Sequence, residues 1–133
     1  MQMLLNINIA IISLSANLLF LNSGLVLLFL FIYYILERPK IVPFSFGSEI
    51  IDEGSHAQLM CSVSHGDLPI TITWSLKGDS INSEPSITTT MIGTRASVLV
   101  ISNVGYRHSG QYICNAKNSA GTESFSTELK VNG

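Results

Sequence analysis

The sequence has no charged side chain before Glu37. All 9 acidic and 7 basic residues, and all 3 histidines, follow that point, and the formal net charge is −2. A near-neutral balance with no basic face argues against nucleic acid as a partner and gives no strong steering field. The chain has no Asn-x-Ser/Thr acceptor: Asn22-Ser23-Gly24, Asn82-Ser83-Glu84 and Asn118-Ser119-Ala120 all fail at the third position. N-linked glycan therefore shields no face. There is no glycine-rich phosphate loop, since Gly66, Gly78 and Gly93 stand alone. His56, His65 and His108 have no ligand spacing and read as solvated loop residues, so no metal site is expected. Asp52 and Glu53 read as a solvated pair beside a turn. With no converging polar constellation, no catalytic residues, no cofactor and no enzymatic activity are expected.

Cysteine is scarce as well. Two cysteines form an even pair, which suits an oxidising compartment, while a reduced pair in the cytosol stays open. At 133 residues there is room for one domain, and composition divides the chain near Glu37-Arg38. Residues 1–37 form a hydrophobic leader and residues 38–133 the domain. The leader is densest from Leu25 to Leu36, and from Leu18 to Leu36 it is about long enough to cross a bilayer as a helix. Three readings of it stay open. A cleaved signal peptide lacks its basic n-region, and Ser13-Leu14-Ser15 is its best small-residue site. A signal anchor fits the length, yet Arg38 and Lys40 would hold the domain on the cytosolic side. The third reading is non-coding sequence translated ahead of an exon.

The rest of the chain reads as short strands. From Ala57 to Val63 one parity is Ala57, Leu59, Cys61, Val63 and the other Gln58, Met60, Ser62, the two-residue period of a half-buried strand. Ile70, Ile72, Trp74 and Leu76 alternate with Thr71, Thr73 and Ser75 in the same way. Thr88–Met91 reads as a strand on its β-branched content. Further strands are read over 95–101, 111–117 and 122–131, with Ile41-Val42 as a short edge strand between Pro39 and Pro43. Turn residues fall at Asp52–Ser55, Lys77–Asp79, Ile92–Thr94 and Asn118–Gly121. Turns about every 8–12 residues with no helical period indicate an all-β sandwich.

The pattern Glu53-Gly54…Leu59-x-Cys61…Trp74…Leu99-x-Ile101-x-x-Val104…Ser109-Gly110-x-Tyr112-x-Cys114-x-Ala116-x-Asn118-x-x-Gly121 resembles the I-set immunoglobulin pattern over essentially all of 38–133. More narrowly, Lys40-Ile-Val-Pro-Phe, Gly66-Asp-Leu-Pro and Ala116-Lys-Asn-Ser-Ala-Gly121 are similar to the alternatively spliced seventh immunoglobulin domain of the arthropod Dscam (Down syndrome cell adhesion molecule) family. The resemblance implies an immunoglobulin-like Greek-key sandwich with Cys61 and Cys114 bridged between opposite sheets. It implies Trp74 and Leu99 in the core against the bridge, and the Tyr112 hydroxyl turned back to the chain at the E–F corner. In the chain-entropy model such a bridge closes a loop worth roughly 4 kcal/mol. One departure is His108, where the family usually carries aspartate. The resemblance further implies an extracellular or cell-surface recognition module of a homophilic adhesion receptor, with a like immunoglobulin domain as partner and the membrane reached, if at all, through residues 18–36.

The residues of interest for recognition lie on the outward parity. If Leu59 and Cys61 face the core, Met60 faces out, and if Leu99 and Ile101 face in, Val98 and Val100 face out. Strands B and E are neighbours in the A-B-E-D sheet of this fold. Met60, Val98 and Val100 are therefore expected to form an apolar patch rimmed by Gln58, Ser62, Thr88 and Thr90, a composition that suits a protein–protein interface. Two other readings compete: an intracellular structural I-set domain of the muscle-protein type, and a secreted immune recognition protein that binds through loops such as His65–Pro69. Free-thiol titration of the native protein separates the first from the extracellular module. The extracellular reading expects no titratable thiol; two would contradict it.

Overall fold

The computed structural model describes residues 23–133. The chain divides into two units between Leu36 and Glu37. In the first, helix α1 (Ser23–Ile35) is uncharged and mostly apolar, with no acidic residue in its first turn and no basic residue in its last. It has 13 residues, against the roughly 20 needed to span a bilayer. Among the described residues no helix is long and apolar enough to cross a membrane. The expectations for residues 18–22 and for Ser13-Leu14-Ser15 lie outside the described residues.

The second unit, Glu37–Gly133, is all β. Its strands are β1 (Lys40–Ile41), β2 (Ile50–Asp52), β3 (Ala57–His65), β4 (Thr71–Leu76), β5 (Asp79–Ser80), β6 (Ile87–Ile92), β7 (Ala96–Ile101), β8 (Gly110–Asn118) and β9 (Gly121–Asn132). They form a four-stranded sheet in the order β1-β3-β7-β6 and a five-stranded sheet in the order β2-β9-β8-β4-β5. This is the two-sheet immunoglobulin arrangement, with β3, β7 and β6 in the positions of strands B, E and D.

Alternation in the sequence becomes alternation in burial. Along β3, Ala57, Leu59, Cys61 and Val63 are buried while Gln58 and Met60 are exposed. On β7, Ser97, Leu99 and Ile101 are buried, and on β8 so are Tyr112, Cys114 and Ala116. Cys61 and Cys114 form a disulfide across the sheets, with Cα atoms 6.5 Å apart. Trp74 lies opposite Cys114 in the β4–β8 register. Its indole N–H donates to the buried Ser97 hydroxyl at 2.9 Å, so the aromatic body is buried without leaving its polar edge unpaired.

Several details differ from the sequence expectation. Strand β2 was not foreseen. It pairs in parallel with β9, Ile50 to Lys130 through Asp52 to Asn132, so the chain switches sheets between β1 and β2. The crossing brings Phe44 edge-on to Trp74 and Phe125, and Phe46 edge-on to Tyr112. These rings cover one margin of the core, which a reading of strand periodicity alone does not capture. Ser80–Pro85, read as a polar connection, contains a 3-10 turn at Ile81–Ser83 whose Ile81 is buried. Ile92, read as a turn residue, ends β6.

The histidines divide. His56 and His65 are exposed as expected, but His108 is wholly buried, which corrects the solvated-loop reading. The cause is the E–F corner, a 3-10 turn at Tyr106–His108. The Gly105 N–H there needs an acceptor, and His108 Nδ1 takes its hydrogen at 2.8 Å. The Tyr112 hydroxyl in turn donates to the His108 carbonyl at 2.5 Å, as the resemblance implied. Burial, aided by the nearby Glu84 carboxylate, pushes the Tyr112 phenol well above its ordinary range, so it stays a donor at all ordinary pH values.

At the opposite end, Asn118 is buried and its amide joins three segments. Its Nδ2 donates to the carbonyls of Glu37 at 2.6 Å and Asp67 at 3.0 Å, while its Oδ1 accepts from the Ala120 and Gly121 amides. Gly121 has a φ of +156°, a backbone conformation that L side chains rarely adopt, and a Cβ there would also push the Arg38 side chain aside, its Nε being 2.5 Å away.

Removing the bridge by replacing both Cys61 and Cys114 with alanine is expected to lower unfolding free energy by roughly 2–5 kcal/mol. Denaturant unfolding followed by the fluorescence of Trp74, the single tryptophan, measures it.

Candidate recognition face

The outer face of the β1-β3-β7-β6 sheet is set by register. Antiparallel pairing places Gln58 opposite Val100 and Met60 opposite Val98 between β3 and β7. On the other side of β7, Thr88 lies opposite Val100 and Thr90 opposite Val98. Two rows of three therefore cross the sheet: Gln58–Val100–Thr88 and Met60–Val98–Thr90. A third row runs Ser62–Ala96–Ile92. All seven residues singled out from the sequence share this face. Directly opposed side chains in an antiparallel pair sit about 4.5–5.5 Å apart at Cβ, so each row is a contiguous surface.

Exposure grades across the rows. Met60 is 54% exposed and Ile92 55%. Gln58, Thr88 and Thr90 are exposed; Ala96, Val98 and Val100 are half-buried because β7 is the central strand of the three, and Ser62 on β3 is half-buried as well. Sequence reasoning missed Ala96 and Ile92. The signal was present: Ile92 continues the parity of Thr88 and Thr90, and its placement in a turn hid it. Nothing on the three rows carries a charge. His56 borders them, its Nε2 3.4 Å from the Gln58 side-chain oxygen.

The opposite sheet presents a different surface. There Gln111, Asn115, Ser124 and Ser126 bond to one another, Gln111 Nε2 donating to Ser126 Oγ at 3.3 Å and the Ser124 hydroxyl donating to Asn115. Among the described residues no cluster of three or more histidine, cysteine, aspartate or glutamate side chains has the arrangement to hold a metal ion. A cleft of about 630 Å³ lies at the E–F corner, beside Asp52, Glu53, Tyr106 and Arg107. The chemistry the outer face offers is complementarity: an apolar centre that gains by excluding water, and hydroxyl and amide groups around it that fix orientation.

Two cross-sheet cysteines, an inward tryptophan, the tyrosine corner and this strand order define an immunoglobulin domain, and the immunoglobulin domain family profile matches residues 38–118. The chain belongs to the immunoglobulin family. Within that family it is akin to the Dscam cell adhesion molecules. It is 40% identical over 99 residues to Dscam1 of Drosophila melanogaster, covering 74% of this chain and 5% of that protein. The crystal structure of the Dscam1 Ig7 domain, isoform 5, superposes with a TM-score of 0.68 at 43% identity, covering 71% of this chain and 97% of that one. A titin I-band fragment, I67–I69, is more distant in sequence: 28% identity and a TM-score of 0.65, covering 72% of this chain and 33% of the fragment. The likeness to the seventh Dscam domain thus stands on sequence and structure together, while the chain spans only a twentieth of the adhesion molecule it matches.

The two faces of the β1-β3-β7-β6 sheet are expected to respond differently to truncation. Leu99→Ala, in the core, should cost about 2–5 kcal/mol, whereas Met60→Ala, on the outer face, should change stability by less than about 0.5 kcal/mol. Urea unfolding of both variants checks the parity.

Proposed function

We propose that this immunoglobulin domain is an extracellular recognition module of a cell-adhesion receptor, and that it binds a second copy of itself through the outer face of the β1-β3-β7-β6 sheet. The observation that carries the reading is the register that brings Met60, Val98 and Val100 together, with Gln58, Ser62, Thr88 and Thr90 at their margin. Homophilic binding by one domain calls for an isologous interface, in which the same patch meets itself about a two-fold axis. An uncharged patch suits that geometry, because any charge near the axis would face its own copy. The Cys61–Cys114 bridge fits an oxidising, extracellular setting better than the cytosolic setting of a structural muscle-type domain. The kinship with cell adhesion molecules supports the same reading and gives no support to an enzymatic one.

Beads coated with the full chain test this. Identical beads should cluster, and beads carrying Val98→Lys or Val98→Glu should each cluster at least about tenfold less, since each variant sets like charges against each other in a desolvated centre. Mixing the Lys and Glu beads should restore clustering. Wild-type beads that stay dispersed, or single-charge variants that cluster as well as wild type, would sink the homophilic reading.

A further inference from the structure

The buried imidazole at the E–F corner has a role that the recognition face does not use. We propose that His108 is an acid-sensitive latch: neutral, it clamps the corner to the Glu84–Ser86 segment, and protonated, it releases it.

The hydrogen-bond geometry dictates which form is accommodated. A backbone N–H only donates, so the 2.8 Å contact from Gly105 N makes Nδ1 an acceptor without a hydrogen. The proton of the neutral ring therefore sits on Nε2. From there it is directed at Ser86 Oγ, 2.7 Å away. The Ser86 hydroxyl passes its own hydrogen to Glu84 Oε1 at 2.5 Å, and the Ser86 amide donates to the same oxygen at 3.3 Å. The chain Gly105 N–H to His108, His108 to Ser86, Ser86 to Glu84 is complete in one tautomer. Adding a proton to Nδ1 sets two donors against each other in a ring with no exposed surface. Either the Gly105 bond breaks or the corner moves.

Charged groups on the neighbouring elements enter on both sides. Glu84, beyond Ser86, favours a protonated ring. Arg107, whose Nε is 3.5 Å from Nε2 and 3.9 Å from the Glu84 carboxylate, opposes it. So does Lys77, whose ammonium reaches the Arg107 carbonyl at 3.4 Å. Asp52 and Glu53 line the cleft next to the corner. Burial is the largest influence, with Arg107 next, and together they hold the imidazole below its ordinary value of about 6.5. Glu84 is itself held below the usual carboxylate range, chiefly by the Ser86 hydroxyl and amide, and so remains an acceptor as the pH falls toward mildly acidic values.

The sign follows from linkage. A group whose folded value is depressed binds its proton more tightly in the unfolded chain. The contribution to stability is therefore complete above about pH 6.5 and is lost as the pH falls from there toward the folded value. The strain would spread beyond the turn, because Val104, just before Gly105, is tied by its carbonyl to the Gly54 amide and by its amide to the Ser55 carbonyl. His108 also hands its carbonyl to Tyr112.

The test uses the full chain in mild detergent with the exposed His56 and His65 replaced by glutamine, so that His108 is the only titrating histidine. Thermal unfolding is followed at Trp74 from about pH 7.5 down to about pH 5.5, with His108→Gln alongside. The unfolding equilibrium constant should rise by up to roughly tenfold per pH unit below about pH 6.5, and this excess slope should vanish in His108→Gln. Independently of any variant's folding, NMR of the unsubstituted imidazole should show it titrating below its ordinary value. The Gly105 amide should lose protection against exchange, corrected for the intrinsic rate, as the ring titrates. Equal slopes in the two proteins, a His108 titration at or above the ordinary value, or a Gly105 amide protected throughout would each overturn the proposal.

Discussion

The disulfide between Cys61 and Cys114 constrains more of this molecule than the two residues it joins. A strand sends successive side chains to opposite faces, and a slip of one residue would reverse every one of them. Once Cys61 must point inward to meet Cys114, Leu59 and Val63 are committed to the core and Gln58, Met60 and Ser62 to the outside. Pairing carries the choice across the sheet. Leu59 lies opposite Leu99 and Met60 opposite Val98, and β6 inherits the pattern from β7. The candidate recognition face is thus the other side of the constraint that builds the core. A sequence that packs its interior in this register has also decided which nine side chains make up the three rows of the outer face.

Polar accounting shapes the ends of the sandwich. The Trp74 indole is satisfied by Ser97, the Tyr112 hydroxyl by the His108 carbonyl, and Asn118 by carbonyls and amides of three segments. An unpaired buried group costs about 1–3 kcal/mol, so these contacts decide where loops can sit. Among the described residues the exception is Arg95 Nη1, buried without a partner, although Nη2 of the same guanidinium donates to Gly66. At the E–F corner an imidazole stands where the immunoglobulin pattern usually has a carboxylate. Both accept a backbone hydrogen at neutral pH. A carboxylate continues to accept far into the acid range, whereas an imidazole accepts only while neutral. The substitution keeps the geometry and changes the conditions under which it holds.

A single immunoglobulin face is a small surface to build adhesion on. Stable complexes bury about 1,200–2,000 Å² in total. In an array, weak contacts gain from effective concentration, so modest affinity per domain is compatible with firm attachment and sharp discrimination. The uncharged rows across β3, β7 and β6 would then discriminate by shape and hydroxyl placement, with little help from charge pairing.

The alternating apolar pattern, the turn residues and the cysteine–tryptophan–tyrosine frame were enough to determine an all-β sandwich, its strands β3, β4, β6, β7, β8 and β9, and the outward parity of Gln58, Met60, Ser62, Thr88, Thr90, Val98 and Val100. These are local properties, written in a two-residue period that any single strand displays. Tertiary structure alone decided the rest. The sheet switch at β2 depends on where Phe44 and Phe46 find rings to pack against. The rows across the face depend on which residue of β7 lies opposite which residue of β3 and β6. The burial of His108 depends on a Gly105 amide and a Ser86 hydroxyl, and Ser86 is more than twenty residues away in the chain. Pairings between distant segments carry no periodic signature in either segment, because the energy that selects them exists only once both are in place.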